Sequence, residues 1–225
     1  EHSFPTRRSS DLSLVACKCT AKTACNREKV LDTFLQTAIE ICEGQQYDMD
    51  FETESDVTVD DYMKMINLKT AVLLAGSLKI GALIANASPD DCENIYQYGR
   101  YAGLAFQLQD DLLDTYGDAK VFGKPIGGDI AENKKTFLLI NAMNLASGNT
   151  KSELLEWLSK ENFDRDEKYN SVKAIYDTLK IKELTIKKIE ECYNIADSYL
   201  QKVSLPESQK SVLRNYMDAM RTREF

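Results

Sequence analysis

The chain predicts an all-α protein. Only four of its 225 residues are proline and ten are glycine, so few positions interrupt a helix. From Arg27 almost to the end, apolar residues recur at the three-to-four spacing of amphipathic helices. With 43% apolar and 28% charged residues the composition is that of an ordinary globular protein, and the length suits one domain with a large core.

The first dozen residues, EHSFPTRRSSDL, stand apart. They are polar, lack a helical period, carry Arg7-Arg8 without context and contain no apolar core of the kind a signal peptide needs. Residues 1–12 are expected to be a non-native or disordered tail, and 13–225 a single helical domain. Arg27 to Gly44 predicts the first helix, with Val30, Leu31, Phe34, Leu35, Ala38, Ile39 and Cys42 as its apolar stripe and Gly44 as its stop. Acidic residues from Asp48 to Asp56 predict a connector. Val59 to Asn86 predicts a long helix or helix pair, very apolar from Leu68 to Ile84 and central in the core. Lys69-Thr70 interrupts its face. A lysine on a buried side needs an anionic partner or a route to the surface.

Asp90 to Tyr116 predicts the next helix. The loop GDAKVFGKPIGGDIAENKK follows, with four glycines and with Lys120, Lys124, Asp129, Lys134 and Lys135. Thr136 to Ala146 predicts a helix returning to the core. Beyond Lys151 the pattern predicts three or four more helices. Ile181, Leu184, Ile189, Tyr193, Ala196 and Leu200 mark one; Leu213, Tyr216, Met217 and Met220 mark the last.

Composition excludes several functions. A net charge of −8 argues against a nucleic-acid surface. The longest apolar run, Ala71 to Gly76, falls far short of the roughly 20 residues of a membrane span. Cys17, Cys19, Cys25, Cys42, Cys92 and Cys192 form no Cys-x-x-Cys pair and fit neither a zinc site nor a disulfide framework. Reduced cysteines point to a cytoplasmic protein. The single histidine, His2, removes Ser-His and Cys-His nucleophilic catalysis.

The three Asp-Asp pairs differ in position. Thr58 before Asp60-Asp61 predicts an N-cap with a capping-box partner at Asp61. Ser88-Pro89 before Asp90-Asp91 predicts another helix start. Asp110-Asp111 has no such explanation: in FQLQDDLLD it lies mid-helix, with Asp114 one turn beyond Asp110 and Asp111 beside them. Like charges so placed repel by roughly 0.2–0.5 kcal/mol. A solvated face is the plain reading. A cation is the other, and carboxylates suit Mg²⁺, which shares its shell with substrate phosphates and water. The lysine loop behind the triplet matches it chemically, since lysines neutralise phosphate charge.

FQLQDDLLD, then Tyr116-Gly117-Asp118, FGKPIGGD and Asn133-Lys134-Lys135-Thr136, in that order, resemble the second aspartate-rich region of the trans-isoprenyl diphosphate synthases, the polyprenyl synthetase family. Gly44-Gln45 with Asp48 resembles that family's Gly-Gln-x-x-Asp segment. Tyr62, Lys69-Thr70 and Ser77 resemble its Lys-Thr helix. The resemblance runs from Arg27 to Ala146, and more loosely over the C-terminal helices.

It implies an isoprenoid-synthase-type helical bundle, incomplete at its N-terminus. It implies a prenyltransferase that condenses an allylic diphosphate with isopentenyl diphosphate by Mg²⁺-assisted ionisation, a homodimer when full length. By resemblance Asp110 is the foremost metal ligand, supported by Asp111 and Asp114. Lys69, Lys124 and Lys134 bind the allylic diphosphate, and Lys135 is the alternative to Lys134. Gln107 and Thr70 sit near the reacting end, and Asp129 holds a metal-bound water. The family's first aspartate-rich helix and its paired arginines have no counterpart here. Asp48-x-Asp50 and Asp164-x-Asp166 have the wrong spacing. The expectation is a C-terminal portion with little activity alone. A non-catalytic partner subunit is the alternative, though the Asp and Lys positions are intact. The Gly-Lys loop favours chain elongation over a terpenoid cyclase.

Overall fold

The computed structural model describes residues 15–20, 22–118 and 126–222. The tail at 1–12, and with it Lys120 and Lys124, lies outside the described residues. Every regular element among the described residues is helical: α1 (Arg27–Asp50), α2 (Val59–Ile66), a π turn (Asn67–Ala71), α3 (Val72–Ile84), α4 (Pro89–Tyr116), α5 (Gly128–Ala131), α6 (Phe137–Leu145), α7 (Gly148–Ser159), α8 (Arg165–Thr178), α9 (Ile181–Lys202) and α10 (Glu207–Arg221).

The local signals acted as local signals should. Thr58 and Asp61 form a reciprocal capping box at the start of α2. Ser88 caps α4 through the Asp91 N–H, with Pro89 in the first turn. Thr136 caps α6, and Asp164 caps α8 through the Glu167 N–H. Asp164 is therefore a capping residue.

Helix α4 is the axis of the bundle. Its middle is buried nearly all round, from Tyr98 through Leu113. It packs on α3 and the π turn on one side and along much of α9 on another. Gly99 and Gly103 do not interrupt it. A Cβ at Gly103 would stand 2.7 Å from Ala71 Cα, and one at Gly99 2.9 Å from Ala75 Cα. The two glycines bring α4 backbone-close to its neighbour.

Two expectations are corrected. Helix α1 runs through Gly44 to Asp50, so Asp48 is helical and not part of a connector. Tyr216 lies off the buried stripe of α10 and is 65% exposed, whereas Met217 is buried. The helical stretch Val59–Ile84 contains an 18-residue window of mean hydropathy 1.3, a span candidate by length and composition only. In the fold it packs against α1 and α4.

Candidate active site

The mid-helix aspartates divide by face. Asp111 points inward and is 3% exposed. Its Oδ2 accepts a 2.6 Å hydrogen bond from the Tyr62 hydroxyl, and its Oδ1 accepts one of 2.9 Å from Gln107 Nε2. The Thr70 hydroxyl donates in turn to Gln107 Oε1 at 2.9 Å. A hydrogen-bonded chain thus runs from Thr70 through Gln107 to Asp111 and Tyr62. Burial pushes the Asp111 carboxyl up, against the pull of Lys134 and of its two donors. Burial beside this carboxylate also raises the Tyr62 phenol well above its ordinary range.

Asp110 and Asp114 are half-buried on the other face. Asp110 has no hydrogen-bond or ion-pair partner among the described residues. Asp114 organises the loop: its Oδ2 accepts from the Asp129 N–H at 2.9 Å, and its carbonyl accepts from the Gly127 N–H at 2.6 Å. Gly127 has φ 79°, a left-handed conformation that glycine adopts without strain.

The basic residues are held by acids from several elements. Lys69, on the π turn, pairs with Asp48 on α1 at 2.5 Å. Asp48 is the anionic partner that a lysine on this face needed. Lys134 pairs with Asp129 at 3.4 Å. Burial opposes its charge, but Asp129, Asp111 and Asp48 together raise its pKa. Lys135 points elsewhere: its ammonium donates to the Phe51 carbonyl at 2.6 Å, at the end of α1. Of the two adjacent lysines, Lys134 is the one that pairs with Asp129. Lys124 lies outside the described residues.

The four predicted ligands Asp110, Asp111, Asp114 and Asp129 do not form one metal cluster. Among the described residues no group of three or more His, Cys, Asp or Glu side chains is placed to hold an ion. Asp111 is committed to Tyr62 and Gln107, and one oxygen of Asp114 to the loop. That leaves Asp110 and one oxygen of Asp114, one turn apart, uncommitted among the described residues. Mg²⁺ characteristically takes one or two carboxylates and completes its shell with phosphate and water.

A cavity of about 1210 Å³ opens beside this site, bounded by Asp48, Phe51, Met65, Lys134, Leu139 and Met143 among others. It meets the site through Asp48 and Lys134, and none of Asp110, Asp111 and Asp114 lines it.

Asp129 provides a pH signature. Burial, then repulsion by Asp111, lifts its carboxyl to about 7. The folded chain therefore holds this proton more tightly than the unfolded chain, whose carboxyl titrates near 3.9. Stability from this group is present below about pH 4 and is lost as pH rises through 7. In metal-free buffer, Asp129→Asn should gain roughly 2–4 kcal/mol on the native chain between pH 4 and 7.5. Urea unfolding across that range measures it; a pH-independent difference contradicts the assignment.

Sequence reasoning missed the π turn, a feature frequent at functional sites. Its one trace is the Lys69-Thr70 break in an apolar face. It also missed Tyr62 as the partner of Asp111, since 49 residues separate them.

The family model for polyprenyl synthetase matches residues 9–179. A short chain isoprenyl diphosphate synthase of Methanothermobacter thermautotrophicus is 42% identical over 131 residues, covering 58% of this chain and 40% of that protein. A geranylgeranyl diphosphate synthase of Methanosarcina mazei is 46% identical over 114 residues, 51% of this chain and 35% of that one. Among solved structures, a geranylgeranyl pyrophosphate synthase superposes with TM-score 0.87 at 37% identity, covering 94% of this chain and 66% of the other. The enzyme of Corynebacterium glutamicum, complexed with isoprenyl diphosphate and magnesium, gives TM-score 0.80 at 27% identity, covering 88% and 56%. The chain spans 40% or less of the length of the two curated relatives.

Proposed function

This chain belongs to the polyprenyl synthetase family, and on that premise we propose that it carries the diphosphate-holding side of a Mg²⁺-dependent prenyl-transfer site. The substrates are an allylic diphosphate and isopentenyl diphosphate, and the product is a longer isoprenyl diphosphate. In the reaction the allylic C–O bond breaks and diphosphate leaves with the electron pair. The double bond of isopentenyl diphosphate forms the new C–C bond, and a proton is lost.

One observation carries the reading: Lys134, a half-buried ammonium drawn by Asp129, Asp111 and Asp48, belongs to the segment that Asp114 anchors. Asp110 and Asp114 would hold Mg²⁺, which when bound supplies Lewis-acid stabilisation of negative charge on the leaving diphosphate. Lys134 and Lys69 place fixed positive charge where that charge develops; Lys124 is assigned the same role by resemblance. Asp129 holds Lys134 in place and would accept from water on the bound metal. Asp111 is a positioning residue: with Tyr62 it fixes Gln107, and Gln107 and Thr70 border the reacting end. No protein nucleophile is required.

Homodimerisation of the full-length protein is part of the proposal. Leu35 and Ile39, one turn apart on α1, are 45% and 53% exposed, as interface residues are in an isolated subunit. The six cysteines are free, which supports a reducing, cytoplasmic setting. The chain is expected to bind diphosphate together with Mg²⁺.

Calorimetric titration of inorganic pyrophosphate into the chain, with and without Mg²⁺, tests the reading. Binding should require Mg²⁺ and weaken about 10-fold in Lys134→Ala, as loss of one charged phosphate contact implies. Lys135→Ala should leave affinity unchanged. Metal-independent binding, or equal effects of the two lysines, would overturn it.

A further inference from the structure

Helix α8 reaches the Lys134 segment through two adjacent residues. Lys168 is fully buried, yet no carboxylate pairs with it among the described residues. Its ammonium donates to the Ala131 carbonyl at 3.1 Å and to Asn133 Oδ1 at 2.7 Å. It also lies 4.1 Å from the centroid of the Phe163 ring. Burying an ammonium against neutral partners is costly, and burial duly lowers its pKa. A methionine would fill the same volume without that cost. Packing alone therefore does not explain a lysine here.

What the ammonium grips does. Asn133 is in the left-handed conformation, φ 54°, and its other amide atom, Nδ2, donates to the Leu158 carbonyl at 2.9 Å. The side chain is thus held at both ends, and the next residue is Lys134. Tyr169 acts at the opposite end of the segment. Its hydroxyl donates to the Thr115 carbonyl at 2.8 Å, next to Asp114. Its ring lies over Gly127, where a Cβ would come within 2.6 Å of Tyr169 Cδ2. Between these grips Asp114 Oδ2 accepts from the Asp129 N–H at 2.9 Å, and the remaining backbone bonds are local, such as Lys134 N–H to Asp129 O at 2.9 Å.

We propose that Lys168 and Tyr169 are positioning residues that clamp Gly127–Lys134 from both ends and so aim Lys134 at bound diphosphate. The inference rests on the diphosphate reading above. A residue acting through another leaves a coupling that a merely structural residue does not. Two measurements on the full chain test it: amide hydrogen exchange over residues 130–135, with α9 as reference, and pyrophosphate affinity in Mg²⁺.

Lys168→Met should speed exchange over 130–135 while α9 is unchanged, and weaken pyrophosphate about 10-fold, as loss of a supporting shell does. In a Lys134→Ala background the same change should weaken it no further. Unchanged exchange overturns the clamp. A full additional loss of affinity in the Lys134→Ala background overturns the route through Lys134. If the native chain binds no pyrophosphate, the diphosphate reading fails, and faster exchange in Lys168→Met would then mark Lys168 as a purely structural grip. If Lys168→Met does not fold, Tyr169→Phe makes the same test: it removes one hydroxyl, and exchange and affinity must shift in the same directions for the proposal to stand.

Discussion

Asp110→Ala is expected to lower Mg²⁺-dependent pyrophosphate affinity by about 100-fold, since a metal-held anion loses one of two protein carboxylates. Its melting temperature should stay close to that of the native chain. Asp110 is half-buried and accepts no hydrogen bond among the described residues, so its removal orphans no donor there. It also relieves repulsion within the triplet. Asp111→Ala should divide the other way. It strips the acceptor from the buried Tyr62 hydroxyl and from Gln107 Nε2, at about 1–3 kcal/mol for each buried group left unsatisfied. For a chain of this size that lowers the melting temperature by several degrees, at roughly 2–4 °C per kcal/mol. Affinity should fall less than in Asp110→Ala, because Asp111 bears on the site through Gln107 and through its charge near Lys134, not as a metal ligand. Calorimetric binding and melting on both variants decide it. If the two fall equally in affinity, the division into an outward ligand and an inward positioning residue is wrong.

That division shows what a linear sequence can and cannot convey. Helical spacing alone places Asp110 and Asp114 on one face and leaves Asp111 beside them as a supporting ligand; its inward turn onto Tyr62 was not legible. Which face meets the core depends on Tyr62, which arrives from another helix. Caps at Thr58 and Ser88 were legible because their chemistry closes within three residues. Gly44 was misread for the converse reason: its meaning lies in a contact with the π turn, and locally a glycine signals a helix end. The π turn shifts helical register without a composition of its own. Lys134 and Lys135 are equivalent as letters, and only the position of Phe51 at the end of α1 separates them.

Gly44 carries the second large effect. A Cβ there would stand 2.3 Å from Lys69 N, 2.6 Å from Leu68 C and 2.7 Å from Lys69 Cα. These are backbone atoms that cannot rotate aside, so α1 and the π turn must separate. Overpacking of this kind costs about 1–3 kcal/mol and occasionally more. Alanine returns up to about 1 kcal/mol through its better helix propensity. Gly81, in α3, isolates that second term, since a Cβ there meets nothing within 4 Å. Gly81→Ala should therefore raise the melting temperature and Gly44→Ala should lower it. The lost stability should come with lost binding, because Asp48 lies one turn beyond Gly44 and holds Lys69 at 2.5 Å. Forcing the two backbones apart draws that pair apart, and Lys69 should no longer hold diphosphate as tightly. Calorimetric melting with pyrophosphate titration separates the outcomes. If the two glycine variants shift stability in the same direction, the close approach is not what Gly44 is for. If Gly44→Ala destabilises but binds normally, Lys69 does not contribute to the diphosphate site.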